Sequence, residues 1–296
     1  MEDRKKRTRE EIIYHAIVCP IFIFFVLICA YPFYYLVIAT ISNAKQVDLG
    51  NVIWKPIGIH FTNYIKIFNI QGLADAATIS VLRVGVGTAC TLFTNSYLAY
   101  FFTKEKMWGR KFWYRMVVIT MYFSAGLIPI YLNIRMLGLL NSFWVYILPG
   151  MVSVYNMILI KTSIEALPAD LEESAYLDGA GYLTRFLRIV LPLQKPILAT
   201  TGLFTAVSEW NDFFSTKLYV TKPKLYTLQF KLYEMLSQIS AAAAQMELEG
   251  AEEVDAITST GIRMTLTVVV TVPIMLVYPF IQKHYVKGIM IGAVKG

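Results

Sequence analysis

Charge is scarce in this chain. Asp, Glu, Lys and Arg make up 16% of its 296 residues, against about 25% in an average soluble domain. Hydrophobic residues reach 56%, aromatics 14%, and the mean hydropathy is +0.54. So few charges cannot cover a water-facing surface, which argues against a soluble globular enzyme; disordered, collagen-like and disulfide-scaffold classes fall by the same figures. The three cysteines, Cys19, Cys29 and Cys90, all lie in apolar runs without a CxxC pair and read as small buried hydrophobes. His15, His60 and His284 are scattered across membrane boundaries, so no metal site is expected. No Gly-x4-Gly-Lys-Ser/Thr loop occurs, so the chain is not an ATPase. Gly85-Val-Gly87-Thr-Ala-Cys90 lacks the third glycine and the strand context of a dinucleotide site. A membrane enzyme would need clustered catalytic groups at one face, and neither a His/Ser/Asp constellation nor paired metal carboxylates supply them.

Long uncharged runs are what the chain has instead. A spanning helix needs roughly 20 apolar residues to cross about 30 Å of hydrocarbon. The intervals Arg83 to Lys104, Arg115 to Arg135, Arg135 to Lys161 and Arg263 to Lys283 hold 20, 19, 25 and 19 uncharged residues. The run between Glu11 and Lys45 is longer still, too long for a secretory signal core. A sixth candidate, about Pro196 to Val220, is interrupted by Glu209, Asp212 and Lys217. The expectation is an all-α integral membrane protein with six transmembrane helices. With both termini cytoplasmic, the inner segments 1–13, 103–115, 161–195 and 283–296 carry 17 Lys and Arg and the outer segments 8, the bias that positive charge shows for the cytoplasmic side. This topology absorbs the formal charge of +7 without a nucleic-acid partner. The division is a cytoplasmic segment 1–13, a transmembrane domain 14–282 with an inner loop 165–192 and an outer loop 222–260, and a cytoplasmic tail 283–296.

The inner loop is the informative segment. Pro168 suits the first turn of a helix, and Asp170, Glu172 and Glu173 place negative charge at the positive end of its dipole. Ala175 and Gly179 lie one turn apart, a small-residue face that lets another surface approach, and Gly179 and Gly181 then break the helix. A second short helix, about Leu183 to Val190, presents Leu183, Phe186 and Leu187 on one side and ends at Pro192. Two amphipathic helices at an elbow cannot bury an apolar stripe in water; they need headgroups or a protein partner.

Glu173-Ser174-Ala175, three residues, Gly179, nine residues, then Ile189-x-Leu191-Pro192 resembles the EAA motif of bacterial ABC-importer permeases, with Ser174 in place of an alanine. Asp178-Gly179-Ala180 is similar to the DGA version found in sugar permeases. Glu209-Trp210-Asn211-Asp212-Phe213 resembles the Trp-Asn-Asp/Glu segment of carbohydrate permeases, and Tyr278 to Gly296 resembles the ending of the maltose-type inner-membrane permease subunit, most of all a Gram-positive branch assigned to complex or acidic oligosaccharides. The resemblance covers the chain apart from the stretch near 238–255, which looks longer than usual. It implies one of two permease subunits in a bacterial plasma membrane, each seating its elbow in one of two cytoplasmic ATPases, with the sugar delivered by an extracellular binding lipoprotein. ATP and Mg would sit on the ATPases and no cofactor on this chain. Glu172, Glu173, Ser174, Ala175, Asp178, Gly179, Ala180, Ile189, Leu191 and Pro192 would couple to the ATPase, and Lys287, Gly288, Gly292, Lys295 and Gly296 of the tail would reach between the ATPases.

Glu209 and Asp212 lie mid-to-outer in the fifth span, where a carboxylate costs about 2.5–3.5 kcal/mol and needs a polar cavity or a partner. One reading has them line the translocation path with Trp210 and Asn211; the other leaves Asp212 and Lys217 solvated at the outer boundary. A proton-coupled secondary transporter using Glu209 or Asp212 is the competing function, disfavoured because no internal repeat is evident. Arg83 opens the second span, where it either snorkels to headgroups or finds a charge partner such as Glu209. The outer loop, with Ala241 to Ala244 and the acidic run Glu247, Glu249, Glu252, Glu253 and Asp255, has helix-forming composition and reads as a docking surface, part of the entrance or a solvated face.

Overall fold

The computed structural model describes residues 9–249 and 261–276, all helix, turn or loop. In chain order the helices are α1 (Arg9–Thr40), α2 (Ala44–Asp48), α3 (Thr62–Phe68), α4 (Leu73–Thr103), α5 (Arg110–Thr120), α6 (Leu127–Met136), α7 (Val154–Glu165), α8 (Asp170–Leu177), α9 (Tyr182–Arg185), α10 (Leu191–Leu193), α11 (Lys195–Asn211), α12 (Phe214–Tyr219) and α13 (Leu228–Glu249). An apolar helix α14 (Gly261–Leu276) follows. The chain divides into two compact units, one of residues 1–70 and 236–269, the other of residues 71–235 and 270–296.

In the first unit α1 carries Pro20 and Pro32 inside an almost wholly apolar helix, and most of its apolar stretch is left uncovered by the described chain until Ile38, Ala39 and Thr40, which are buried. Cys19 and Cys29 are therefore exposed on it, not buried as their apolar surroundings suggest. At its end the helix is tied down by polar contacts: Ser42 Oγ donates to the Ile38 carbonyl (2.6 Å), and Asn63 Nδ2 to that of Thr40 (3.0 Å). Ile38, Ala39, Val47 and Val52 close a small core with Met264.

In the second unit α4 is the axis. It is 31 residues long, about 46 Å at 1.5 Å per residue, and packs most extensively against α11 and α7. Where the uncharged runs predict single spans three and four, the described chain is broken. Gly126 takes φ 86° and ψ 171°, a conformation open to glycine alone, and separates α5 from α6. Gly138 (φ 69°) ends α6 and Asn141 (φ 57°) turns the chain into a 3₁₀ turn, Phe143–Tyr146; α7 starts only at Val154, after Pro149-Gly150 and capped by Ser153. α1 and α4 alone among the described helices are long and apolar enough to cross a membrane unaided, joined by a third if Tyr182–Leu193 and Lys195–Asn211, which meet at 82°, form one span. Non-helical backbone at membrane depth is tolerated where protein or a cavity satisfies its polar groups. Asn95, fully buried on α4, does so here: its Nδ2 donates to the Met151 carbonyl (3.3 Å) and its Oδ1 accepts from Ser153 N–H (2.9 Å).

The elbow forms between α7 and α11. Pro168 precedes α8, whose first turn is acidic, and Gly179 leaves it at φ 80°, the left-handed exit that glycine makes without strain. α9 runs into a π-helical turn, Phe186–Val190, and on through α10, so Pro192 lies within the last turn and the chain bends at Gln194. Phe186, fully buried, fixes this turn to α4, its ring 5.4 Å from that of Tyr97 and 5.3 Å from that of Tyr100. Emptying that site costs about 3–5 kcal/mol. Phe186→Ala is expected to lower the melting temperature of the purified protein clearly; an unchanged melting curve would remove Phe186 from the core.

Candidate functional site

Two polar clusters stand out in the second unit. The first centres on Arg83, whose side chain is 4% exposed. It lies within α4, not at its opening, and the charge-partner reading holds over the snorkelling one. Its Nε donates to Glu209 Oε2 (2.6 Å), its Nη2 to Asp212 Oδ2 (2.5 Å) and its Nη1 to the Asp212 carbonyl (3.0 Å), while the guanidinium lies 4.6 Å from the centre of the Tyr146 ring. Local structure aims both carboxylates. Glu209 is in the last turn of α11 and Asp212 is the residue that ends it, extended at ψ 106°; the second Asp212 oxygen accepts from Ser215 N–H (3.1 Å) and so starts α12. Lys217, the cation that would solvate with Asp212, instead bonds the Tyr233 hydroxyl (2.5 Å).

The cluster lines a cavity of about 290 Å³ together with Tyr146, Gly150, Ser208 and Tyr219. Two glycines make room for Glu209: a Cβ on Gly87 would stand 3.4 Å from its carboxyl carbon, and one on Gly150 would stand 3.9 Å from Oε1. The four residues expected along the path do not act together. Glu209 and Asp212 reach this cavity, but Trp210 lines a separate, almost wholly apolar cleft of about 310 Å³ and donates from Nε1 to the Val270 carbonyl (3.0 Å). Asn211 bonds back to Val207 on its own helix (2.9 Å). Tyr146, Gly150 and Tyr219 join the cavity although nothing in the sequence pattern marks them; the 3₁₀ turn brings in Tyr146, the Pro149-Gly150 break Gly150 and the end of α12 Tyr219.

The second cluster is at the elbow. Glu172 Oε1 accepts from the Tyr100 hydroxyl (2.7 Å) and from Lys104 Nζ (2.5 Å) and lies 3.3 Å from Arg185 Nη1; Lys104 also pairs with Oε2. Burial pushes the Glu172 carboxyl up, but the bonds from Lys104 and Tyr100 and the charges of Lys104 and Arg185 outweigh it and hold it below the usual carboxylate value. Lys104 is lowered too, because burial costs its ammonium more than Glu172 returns. A depressed carboxylate contributes stability above its ordinary pKa, about 4.3, that is lost as pH falls through the folded value. The motif residues face the other way: Glu173, Ser174, Asp178, Gly179 and Pro192 are exposed, Ala175, Ala180, Ile189 and Leu191 half-buried. Around them Tyr176, Leu177, Tyr182 and Leu183 expose apolar surface. The tail residues Lys287, Gly288, Gly292, Lys295 and Gly296 lie outside the described residues, as does 250–260 of the acidic outer loop, whose preceding part is the helix α13. Among the described residues no group of His, Cys, Asp and Glu could hold a metal ion.

Comparison with known proteins adds three findings. Residues 92–291 match the family described as "Binding-protein-dependent transport system inner membrane component". The chain is 36% identical over 272 residues to the Polygalacturonan/rhamnogalacturonan transport system permease protein YtcP of Bacillus subtilis, covering 92% of this chain and 94% of that one. It is also 36% identical over 267 residues to Protein LplC of Bacillus subtilis, covering 90% and 89%. Among solved structures, a chain from a bacterial ABC transporter involved in the import of the acidic polysaccharide alginate aligns with TM-score 0.83 at 27% identity, covering 95% of this chain and 99% of that one.

Removing one member of a buried ion cluster leaves the others uncompensated, at about 3–5 kcal/mol. Arg83→Met should therefore sharply reduce the yield of folded protein in membranes, and adding Glu209→Gln and Asp212→Asn should restore it. Wild-type yield and melting temperature for Arg83→Met alone would show that the pairing contributes nothing.

Proposed function

From the premise that this chain belongs to the family of binding-protein-dependent transport system inner membrane components, we propose that it is one of two permease subunits that rock between inward-facing and outward-facing states, with six spans and both termini in the cytoplasm. It is a permease subunit of a carbohydrate importer of the ABC class, a transport component of the membrane and not a catalytic one. Its partners in this reading are a second homologous permease, two cytoplasmic ATPases that carry the nucleotide and magnesium, and an extracellular binding lipoprotein. The elbow α8–α9 is the ATPase dock. The observation that carries this is the exposed face of Glu173, Ser174, Asp178 and Gly179 beside uncovered Tyr176, Leu177 and Leu183: an amphipathic surface of this kind needs a partner.

The proposed cargo is an oligosaccharide of the acidic class, supported by the names of the relative and the solved neighbour above. Among the described residues lining the Glu209 cavity Arg83 is the one cation, and both carboxylates there already hold it. That cavity offers no free positive charge to a uronate, so charge recognition falls to the binding protein and the second permease, and Glu209 and Asp212 shape the path without gripping the sugar. A proton-coupled carrier has no observation in its favour, since both carboxylates are engaged as the counter-ions of a buried arginine.

Affinity purification of the tagged chain in mild detergent is expected to bring down a second permease and an ATPase; recovery of the chain alone after gentle cross-linking would sink the reading. At the dock, Gly179 is at φ 80° with open space where a Cβ would stand, so Gly179→Asp meets no neighbour behind it but places a charge on the surface offered to the partner and strains the left-handed exit of α8. Expected is an inserted, assembled complex that has lost sugar-stimulated ATP hydrolysis. Normal stimulation would remove Gly179 from the dock. Deleting the last eight residues should leave insertion intact and lower ATP hydrolysis; unchanged turnover would take the tail out of the mechanism.

A further inference from the structure

The elbow helix is held to the rest of its unit in an unusual way. α8 buries no residue, and among the described residues its main helix–helix packing is with α9, its neighbour in sequence. What ties it to the long helix α4 is the side chain of Glu172. One carboxylate receives the hydroxyl of Tyr100 from within α4, the ammonium of Lys104 from the residue that caps α4, and the guanidinium of Arg185 from the last position of α9. Lys104 is itself braced, its ammonium 3.9 Å from the centre of the Tyr100 ring, and Arg185 lies 4.5 Å from that of Tyr182. The next residue, Glu173, is exposed and forms no ion pair among the described residues. Adjacent carboxylates thus face in different directions, one into the chain and one out of it.

Further along the same rod, ten positions inside its other end, sits Arg83 with the other ion cluster. Arg83 and Lys104 are 21 positions apart on α4 and its cap, about 31 Å at 1.5 Å per residue, and no proline interrupts the helix between them. A stiff helix held ionically at Lys104 and again at Arg83 carries a displacement between those two points, and Glu172 adds to the Phe186 packing a charged link from α8 itself.

We propose that Glu172, together with Lys104 and Arg185, is a positioning clamp that makes α4 follow the elbow, so that movement imposed on α8 and α9 reaches the Arg83 cavity. The inference rests on the docking role proposed for the elbow, and it assigns Glu172, which directly precedes the motif, an internal duty where the resemblance implies an ATPase-facing one. Glu173 keeps the outward one.

The test uses the whole importer, this chain with its second permease, ATPases and binding protein, reconstituted in liposomes with sugar uptake and ATP hydrolysis measured on the same preparation. Glu172→Gln is expected to retain the ATPases through purification and to hydrolyse ATP, while sugar moved per ATP falls several-fold. Lys104→Gln removes the same contact from the other side and should give the same loss; the double variant should be no worse than either single one, because both break one link. Should Glu172→Gln fail to assemble, Lys104→Gln carries the measurement. A wild-type ratio of transport to hydrolysis in either variant would overturn the clamp. Loss of the ATPases from Glu172→Gln but not from Glu173→Gln would overturn it too, by making Glu172 the docking residue. Failure of the docking reading is distinguishable: the unmodified complex would then not retain ATPases at all.

Discussion

An arginine whose three nitrogens are all bonded, sunk in a helix bundle with 4% of its side chain exposed, dictates much of what surrounds it. A single buried cation in hydrocarbon has to be matched, and here it is matched twice, from the last turn of α11 and from the residue that terminates it. Asp212 can reach Arg83 because the helix stops there, and α12 can start because the other oxygen of the same carboxylate caps it. The cluster sets the point at which an apolar segment gives up its helix, and Gly87 and Gly150 lie beside Glu209. Neighbouring rings follow: Tyr146 lies beside the guanidinium and sends its hydroxyl to the Leu225 carbonyl, 2.7 Å away.

The broken helices obey the same accounting of polar groups. Interrupting a helix frees amides and carbonyls that lipid cannot bond. The Pro149-Gly150 interruption is met by Asn95 from α4; at the turn, Asn141 N–H donates to the Tyr219 carbonyl (3.1 Å), and the Asn141 side chain in return accepts from Thr221 N–H (2.6 Å) and Lys222 N–H (3.1 Å). α1, by contrast, stays continuous and presents apolar side chains outward up to Val37. The cavity thus forms where interruption was supported.

Much of the elbow is legible in the sequence because its signals are local. Acidic residues at a helix start, Gly179 in a left-handed exit and a proline near the end of the second helix each act on the backbone within a turn. The all-helical class is legible from the uncharged runs, and the need of Glu209 and Asp212 for a partner follows from solvation cost. Other features depend on distance or direction. Arg83 and Glu209 are 126 positions apart, and charge counting offers both a headgroup and a carboxylate as partners. Glu172 and Glu173 have the same chemistry, so only the three-dimensional position of Lys104 tells them apart. Trp210 and Asn211 fall between Glu209 and Asp212 in sequence, yet the helix turns them to other faces. Uncharged length does not distinguish an unbroken span from α5, a Gly126 break and α6, because hydropathy reports transfer energy and not backbone conformation.

The π turn at Phe186–Val190 has a consequence for how this segment can vary in length. Such a turn holds one residue more than the α-helix it replaces, so it stores an offset in angular phase. Phe186 at its start and Val190 at its end are both buried. Losing one residue there would restore ordinary helix and turn everything upstream by about 100° around the axis, carrying the outward surface of α8 and α9 away from whatever it meets. Between Gly179 and Pro192, an insertion or deletion is a rotation before it is a change of length.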